Sequence, residues 1–192
     1  MKKGIVIAIS GYSGAGKGTV VNKLKEDPNL NLGVCISATT RAPREGEING
    51  QHYYFISKEE FIQKIENHEF AEYDEHNGNY YGTLISEIEN NTKAGKNVLV
   101  EIDVNGVENL MKTGIVDTSM FISTPSLEIL EQRLRGRGTE TEEQIQIRMG
   151  RVAYETTKIP LFEHEVINDV LEDTVSNVKK IILEAVEKKN KI

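Results

Sequence analysis

Gly11-Tyr-Ser-Gly-Ala-Gly-Lys17 decides the reading of this 192-residue chain. Ahead of it runs Ile5-Val6-Ile7-Ala8-Ile9, an apolar stretch that reads as a buried strand. Behind it, Thr19-Val20-Val21-Asn22-Lys23-Leu24 reads as the first turns of a helix. Strand, glycine loop and helix in that order supply the context that a G-x-x-x-x-G-K pattern needs. Glycines let main-chain N–H groups turn inward around phosphate oxygens. The helix N-terminus adds partial positive charge, and Lys17 adds a full one. The loop and its continuation, Gly11, Tyr12, Ser13, Gly14, Ala15, Gly16, Lys17, Gly18 and Thr19, are therefore expected to hold the phosphates of a nucleoside triphosphate. The pattern usually places Ser or Thr directly after the lysine to hold Mg²⁺. Here Gly18 intervenes and the hydroxyl comes at Thr19. The sequence leaves the protein ligands of a metal open; an ion held mainly by phosphate oxygens and water suits the reluctance of Mg²⁺ to dehydrate.

Around this loop the composition sets bounds. Hydrophobic residues at 38% and charged residues at 28% fit a soluble α/β domain. No apolar run approaches the ~20 residues needed to span a bilayer, and an N-terminal signal peptide would discard the loop itself, so neither membrane nor export is expected. The one cysteine, Cys35, excludes an internal disulfide and fits a cytoplasmic protein. It sits in an apolar segment and reads as a small buried hydrophobe. A net charge of −7 argues against general nucleic-acid binding. Histidines 52, 68, 76 and 164 show no metal-ligand spacing.

Apolar runs and breakers give an alternating order. Strands are expected over 5–10, 34–36, 98–102, 120–122 and 166–168. Helices are expected over 17–26, 84–94, 104–112, 125–135, 141–158 and 174–189. Ser57-x-x-Glu60 and Thr141-x-x-Gln144 have the form of capping boxes. Alternation of this kind predicts a parallel sheet with helices on both faces. Residues 38–83 interrupt the rhythm. They hold a polar loop, a segment with strand character from Tyr53, and two runs joined at Asn77-Gly78, a hairpin signal. That section reads as a small lobe inserted opposite the phosphate loop.

A second constellation lies in the insertion. Ser37-Ala-Thr-Thr-Arg41-Ala-Pro43-Arg44-Glu-Gly46-Glu-Ile-Asn-Gly50-Gln-His-Tyr53 brings two arginines, a tyrosine and several hydroxyls into one loop. Arginine forks bind phosphate by two points. Further on come Glu72, Tyr80, Tyr81 and Thr83. Strand alternation turns one member of each tyrosine pair inward, so Tyr54 and Tyr80 are expected to pack, leaving Tyr53 and Tyr81 for a ligand.

These blocks resemble guanylate kinases. The resemblance rests on the loop at 11–17, Ser37-x-Thr-Thr-Arg-x-Pro-Arg44 with Gly-Glu-x-x-Gly-x-x-Tyr53, and Phe70-x-Glu72-Tyr73. It continues through Gly78-Asn-Tyr-Tyr-Gly-Thr83, Glu101-Ile-Asp103-Val-x-Gly106, Arg133-Leu-Arg-Gly-Arg-Gly138-Thr and Asn168-Asp169, and so spans residues 4–190. The chain departs from the family at Tyr12, where proline is common, and at Leu161-Phe-Glu-His-Glu165, near the adenine site.

The resemblance implies a single P-loop domain with a three-layer α/β/α core (1–36 and 84–192), a GMP-binding lobe of mixed strands (37–83) and a mobile lid near 133–148. It implies transfer of a phosphoryl group from ATP to GMP with Mg²⁺ in purine nucleotide metabolism. Carried over residue by residue, Ser37, Arg41, Arg44, Tyr53, Glu72, Tyr81, Thr83 and Asp103 would bind GMP. Lys17, Arg41, Arg137 and Arg148 would act on the moving group, with Arg133 and Arg137 also on ATP. Arg135 has no matched role and reads as a surface charge. Glu72 could accept from guanine N1–H and the 2-amino group together, with Ser37 and Thr83 donating to O6; adenine offers neither donor. Two rival readings are a kinase for a phosphorylated sugar and a scaffold-type binding module, but the first leaves Glu72 with no purine edge and the second typically lacks the intact loop.

Overall fold

In the computed structural model, residues 3–33, 35–76, 78–136, 138 and 141–191 are described. Chain order is β1 (Val6–Gly11), α1 (Lys17–Lys25), β2 (Leu32–Gly33), β3 (Ala38–Thr39), β4 (Tyr54–Phe55), α2 (Lys58–Glu66), β5 (Phe70–His76) and β6 (Asn79–Leu84). Then follow α3 (Ile85–Lys93), β7 (Asn97–Glu101), α4 (Val104–Lys112), β8 (Thr118–Ser123), α5 (Leu127–Gly136), α6 (Glu142–Lys158), β9 (His164–Ile167) and α7 (Leu171–Asn190).

Five strands form one parallel sheet in the order β2-β7-β1-β8-β9. Its central strands β1 and β8 are buried along their whole length, and helices cover both faces. A strand covered on both faces needs a continuous apolar run, and Ile7, Ile9, Phe121 and Ile122 supply side chains with no exposure. Each such side chain contributes about 1.5–3 kcal/mol by burial. All five strands run the same way, so the loops after β1, β7 and β9 emerge on one rim, where ligands of open α/β sheets collect.

Four strands form the second sheet, in the order β4-β3-β6-β5. β3 pairs parallel with β4 and antiparallel with β6, and β6 pairs antiparallel with β5. Registers Ala38↔Gly82, Ala38↔Tyr54 and Thr39↔Tyr81 place Ala38, Tyr54, Tyr80 and Gly82 on one face. That face packs on Phe61 of α2, with Phe70 stacked on the Phe61 ring at 4.3 Å and Tyr80 at 5.3 Å. Tyr54 and Tyr80 are therefore packing residues. Thr39, Tyr53, Phe55, Tyr81 and Thr83 share the opposite face.

A register shift between Phe70 and Glu72 marks an irregularity at the start of β5. Strict alternation would put these two residues on one face; the extra residue separates them. Phe70 enters the small core under α2, Ala71 enters the main core, and Glu72 joins the polar face.

Helix ends follow the capping signals. Thr141 and Gln144 exchange hydrogen bonds in a complete capping box, while Ser57 caps α2 by accepting from the Glu60 N–H at 3.1 Å. Two expectations are corrected. The second strand lies at Leu32–Gly33, earlier than 34–36, because the chain folds back through a 3-10 turn at Pro28–Leu30. Val34 is outside the described residues, as are Asn77 of the expected hairpin turn and Arg137 of the expected lid. α7 starts at Leu171, because Glu172 and Asp173 favour a first turn ahead of the apolar stripe. Arg135 is exposed, as expected of a surface charge, and ion-pairs Glu131 on its own helix and Glu142 on the next.

Candidate active site

The loop between β1 and α1 is held open by its glycines. Gly11 has φ 152°, and a Cβ there would stand 2.1 Å from the Ile122 carbonyl oxygen of β8. Gly16 caps α1 with φ 88°, and a Cβ there would meet Asn168 Nδ2 at 2.6 Å. Both positions exclude a side chain by conformation and by space. Lys17 Nζ donates to the Gly11 and Tyr12 carbonyls at 2.8 and 3.1 Å, which keeps the ammonium at the mouth of its own loop. Ser13, Gly14 and Gly16 are half-buried, and Gly18 and Thr19 are exposed at the helix start.

Tyr12 takes another direction. Its N–H donates to the Ile122 carbonyl at 3.2 Å, and its ring meets Phe121 edge-on at 4.9 Å. Its hydroxyl lies 2.9 Å from Thr156 Oγ1 on α6. Tyr12 thus anchors the loop to the core, and only its carbonyl faces Lys17. Asn168, after β9, braces the loop from the other side. It is buried, donates to the Ala15 carbonyl at 2.7 Å and accepts from Thr174 Oγ1 at 3.0 Å.

Across the rim stands the polar face of the small sheet. Glu72 and Thr83 are direct cross-strand partners, and Thr83 Oγ1 donates to Glu72 Oε1 at 2.7 Å. Burial pushes the Glu72 carboxyl above its ordinary value; the Thr83 hydrogen bond opposes this, and Asp103 and Asp74 add repulsion. Ser37, half-buried, accepts from the Tyr54 N–H through its carbonyl at 2.9 Å. The Tyr53 and Tyr81 rings meet at 6.1 Å, and the Arg41 guanidinium lies 5.6 Å from the rings of both Tyr53 and Phe55. Glu47 and Tyr81 hold the Arg41 pKa up, Glu47 foremost. Arg44 is exposed in the same loop.

Against the phosphate loop lies a cleft of about 330 Å³, lined from the core by Gly11, Ser13, Lys17, Glu101, Asp103, Arg151 and Glu155 among others. Asp103 caps α4 by accepting from the Gly106 N–H at 2.7 Å through Oδ1, and its charge reaches both Glu72 and Glu155. β5 packs on α4, which fixes the lobe against the core at this point. Glu155 Oε2 is buried without a hydrogen-bond partner, and burial raises its carboxyl pKa, with Lys17 and Arg151 opposing. The described residues hold no group of three or more His, Cys, Asp or Glu able to cage a metal. Ser13, Glu101, Asp103 and Glu155 line the cleft, so a Mg²⁺ arriving on a triphosphate would meet oxygen donors there while held mainly by phosphate oxygens and water.

Arg148 of α6 donates to Ser13 Oγ of the phosphate loop. Arg133 of α5 donates to the carbonyls of Asn168 and Asp169 at 2.8 and 3.4 Å. Two of the expected lid arginines thus stand at the loop and at the strand end beside it. Three polar residues here were absent from the expected site. Glu155 has a signal, since Arg148, Arg151 and Glu155 recur on one face of α6 at helical spacing. Glu47 and Asn168 lay inside the matched motifs; the partners of Glu47 are in its own loop, whereas the Ala15 partner of Asn168 is set by tertiary structure. Cys35 packs against the core, where burial, followed by the Glu87 charge, pushes its thiol up to about 12, so it is no nucleophile.

No helix of the described residues is long and apolar enough to cross a membrane. The guanylate kinase family model matches residues 2–185. Guanylate kinase of Mycoplasmoides gallisepticum is 43% identical over 182 residues, covering 95% of this chain and 93% of that one. Guanylate kinase of Mycoplasmopsis pulmonis is 44% identical over 187 residues, covering 95% of each. The crystal structure of guanylate kinase from Anaplasma phagocytophilum aligns with a TM-score of 0.69 at 30% identity, covering 96% of this chain and 87% of that one. A glycine loop on a parallel sheet, a second sheet carrying a half-buried carboxylate, and similarity along nearly the whole length agree: the chain belongs to the guanylate kinase family.

Proposed function

We propose that this chain transfers the terminal phosphoryl group of ATP to GMP, giving ADP and GDP. The observation that carries this reading is Glu72: a half-buried carboxylate paired to Thr83, on the sheet face that also carries Tyr53 and Tyr81. Such a group is costly unless a ligand brings donors to it. Guanine brings two, N1–H and the 2-amino group, at the spacing of a carboxylate. Their arrival frees the Thr83 proton for guanine O6, with Ser37 as the second donor. Asp103, whose Oδ1 caps α4, would offer its other oxygen to the same nucleotide.

The phosphate of GMP would sit on Arg41, Arg44, Tyr53 and Tyr81. Its oxygen is already nucleophilic near neutral pH, so no strong base is needed. What the reaction needs is in-line placement and charge neutralisation. Lys17 and the loop N–H groups of residues 13–19 would grip the triphosphate, with Lys17 leaving its two carbonyls for β- and γ-phosphate oxygens. Arg148 and Arg137 would meet the moving group, and Arg133 the donor nucleotide. Mg²⁺, when bound, neutralises the phosphate oxygens. The division of labour is a core of 1–36 and 84–192, a GMP lobe of 37–83 and a lid near 133–148, working in the cytoplasm where both nucleotides occur.

A panel of acceptors in a coupled ADP-release assay tests the reading. GMP should exceed AMP, CMP and UMP by ~10⁴ in kcat/KM, because a site built for specific donors is left unpaired by analogues that lack them. Equal turnover of AMP overturns it.

A further inference from the structure

The loop carrying Arg41 and Arg44 is organised by one carboxylate. Glu47 Oε1 and Oε2 accept from Arg41 Nη2 and Nη1 at 2.8 and 2.9 Å. Oε2 also accepts from the Arg44 N–H at 2.6 Å, and the Glu47 N–H returns a bond to the Arg44 carbonyl at 3.0 Å. Side chains of Arg41 and Glu47 are only 16% and 18% exposed, within a loop whose residues 42–46 are all exposed. Arg41 Nη1 gives its second proton to the Ala42 carbonyl at 2.7 Å.

A guanidinium has five N–H donors in a fixed plane. Glu47 takes the outer edge, made by Nη1 and Nη2. Among the described residues, no carboxylate or carbonyl takes the other edge, Nε–H with the second Nη2–H; the Tyr81 hydroxyl, itself expected at the phosphate, is the hydrogen-bond partner left to it. That edge is a fork suited to two phosphate oxygens. The rings of Tyr53 and Phe55 fix the plane of the group.

We propose that Glu47 is a positioning residue for phosphate recognition: by holding the outer edge of Arg41 and pinning the 44–47 turn, it presents the Nε edge to the phosphate of the acceptor nucleotide. The inference rests on GMP as the acceptor. Arg41 first, and then the Arg44 N–H, hold the Glu47 carboxyl down at about 2, so it stays ionised at any working pH. Glu47 touches neither base nor transferred group; it acts through Arg41.

The test compares wild type with Glu47→Gln in the full chain, each checked for an unchanged melting transition. Binding of GMP and of guanosine, which has the base but no phosphate, is measured by competition. Glu47→Gln should weaken GMP about ten- to a hundredfold, the weight of a charge-assisted hydrogen bond, and leave guanosine within about twofold. KM for GMP should rise more than kcat falls. In an Arg41→Met background, Glu47→Gln should add nothing. Equal loss of guanosine and GMP would mean that Glu47 only folds the loop. Tighter GMP binding would mean that it competes with phosphate. Additive losses in the double variant would also overturn the proposal. Wild type failing to bind GMP sinks both the acceptor and the role of Glu47; normal turnover with an unchanged GMP-to-guanosine ratio in the variant sinks the role of Glu47 alone.

Discussion

Replacing Glu72 with Gln should move activity and stability in opposite directions. In wild type the carboxylate would accept two N–H groups of guanine at once. Glutamine keeps one oxygen and turns an amide donor towards a donor of the base. The change removes one charge-assisted hydrogen bond, about 1.5–3 kcal/mol, and leaves a donor unpaired, about 1–3 kcal/mol. Mid-range values sum to about 4 kcal/mol, a loss of ~10³ in kcat/KM for GMP. IMP lacks the 2-amino group, so its loss should be smaller and discrimination between GMP and IMP should narrow. Stability follows from the sign of the proton linkage. The folded protein holds Glu72 above its ordinary value of 4.5, chiefly by burial. A carboxyl raised in this way favours the fold at acid pH, and that advantage is lost as pH rises through the folded value. Glutamine carries no such dependence. The variant should therefore melt above wild type at pH 7.5, and the gap should close below about pH 4. Coupled ADP-release kinetics with GMP and IMP, and thermal melts across pH 4–8, check both halves. Turnover of GMP within about threefold of wild type would refute the base-reading role. A lower melting temperature at pH 7.5 would refute the claim that the buried charge is a cost.

Three further substitutions probe the phosphate loop. Lys17→Ala should lower turnover by more than ~10² with the fold retained by circular dichroism; near-normal turnover contradicts its role. Asn168→Ala removes buried bonds of 2.7 and 3.0 Å and leaves the Ala15 carbonyl unpaired, which should cost about 2–4 kcal/mol in urea unfolding and weaken ATP more than GMP. Gly11→Ala drives a Cβ to 2.1 Å from the Ile122 carbonyl at a φ of 152°, so β1 and β8 must part and stability should fall by more than ~2 kcal/mol.

What could be read from the chain was local. The phosphate loop announces itself because its glycines, lysine and flanking strand and helix lie within some twenty residues, and each has one physical job. The tyrosine pairs were readable because strand parity alone separates Tyr53 from Tyr54 and Tyr80 from Tyr81. Position in a motif marked Glu72, but not why it joins the polar face of the small sheet. That depends on the irregularity beside Phe70, and no residue there advertises it. Tyr12 was legible as a loop residue, whereas its turn into the core is decided by Phe121 and Thr156, far along the chain. Arg135 reads as a solvated charge in isolation; only the meeting of α5 and α6 supplies Glu142. Asn168 shares this feature: it is an ordinary polar residue in sequence, and tertiary structure brings it the Ala15 carbonyl from the far end of the chain.

A crystal of the protein grown with GMP tests the central claim most directly. The Glu72 carboxylate should lie within hydrogen-bond distance of guanine N1 and the 2-amino nitrogen, with the phosphate on the Nε edge of Arg41 and pointed at the loop of Lys17. A nucleotide whose phosphate rests on the arginines while its base turns away from Glu72, or one seated elsewhere on the molecule, would contradict it.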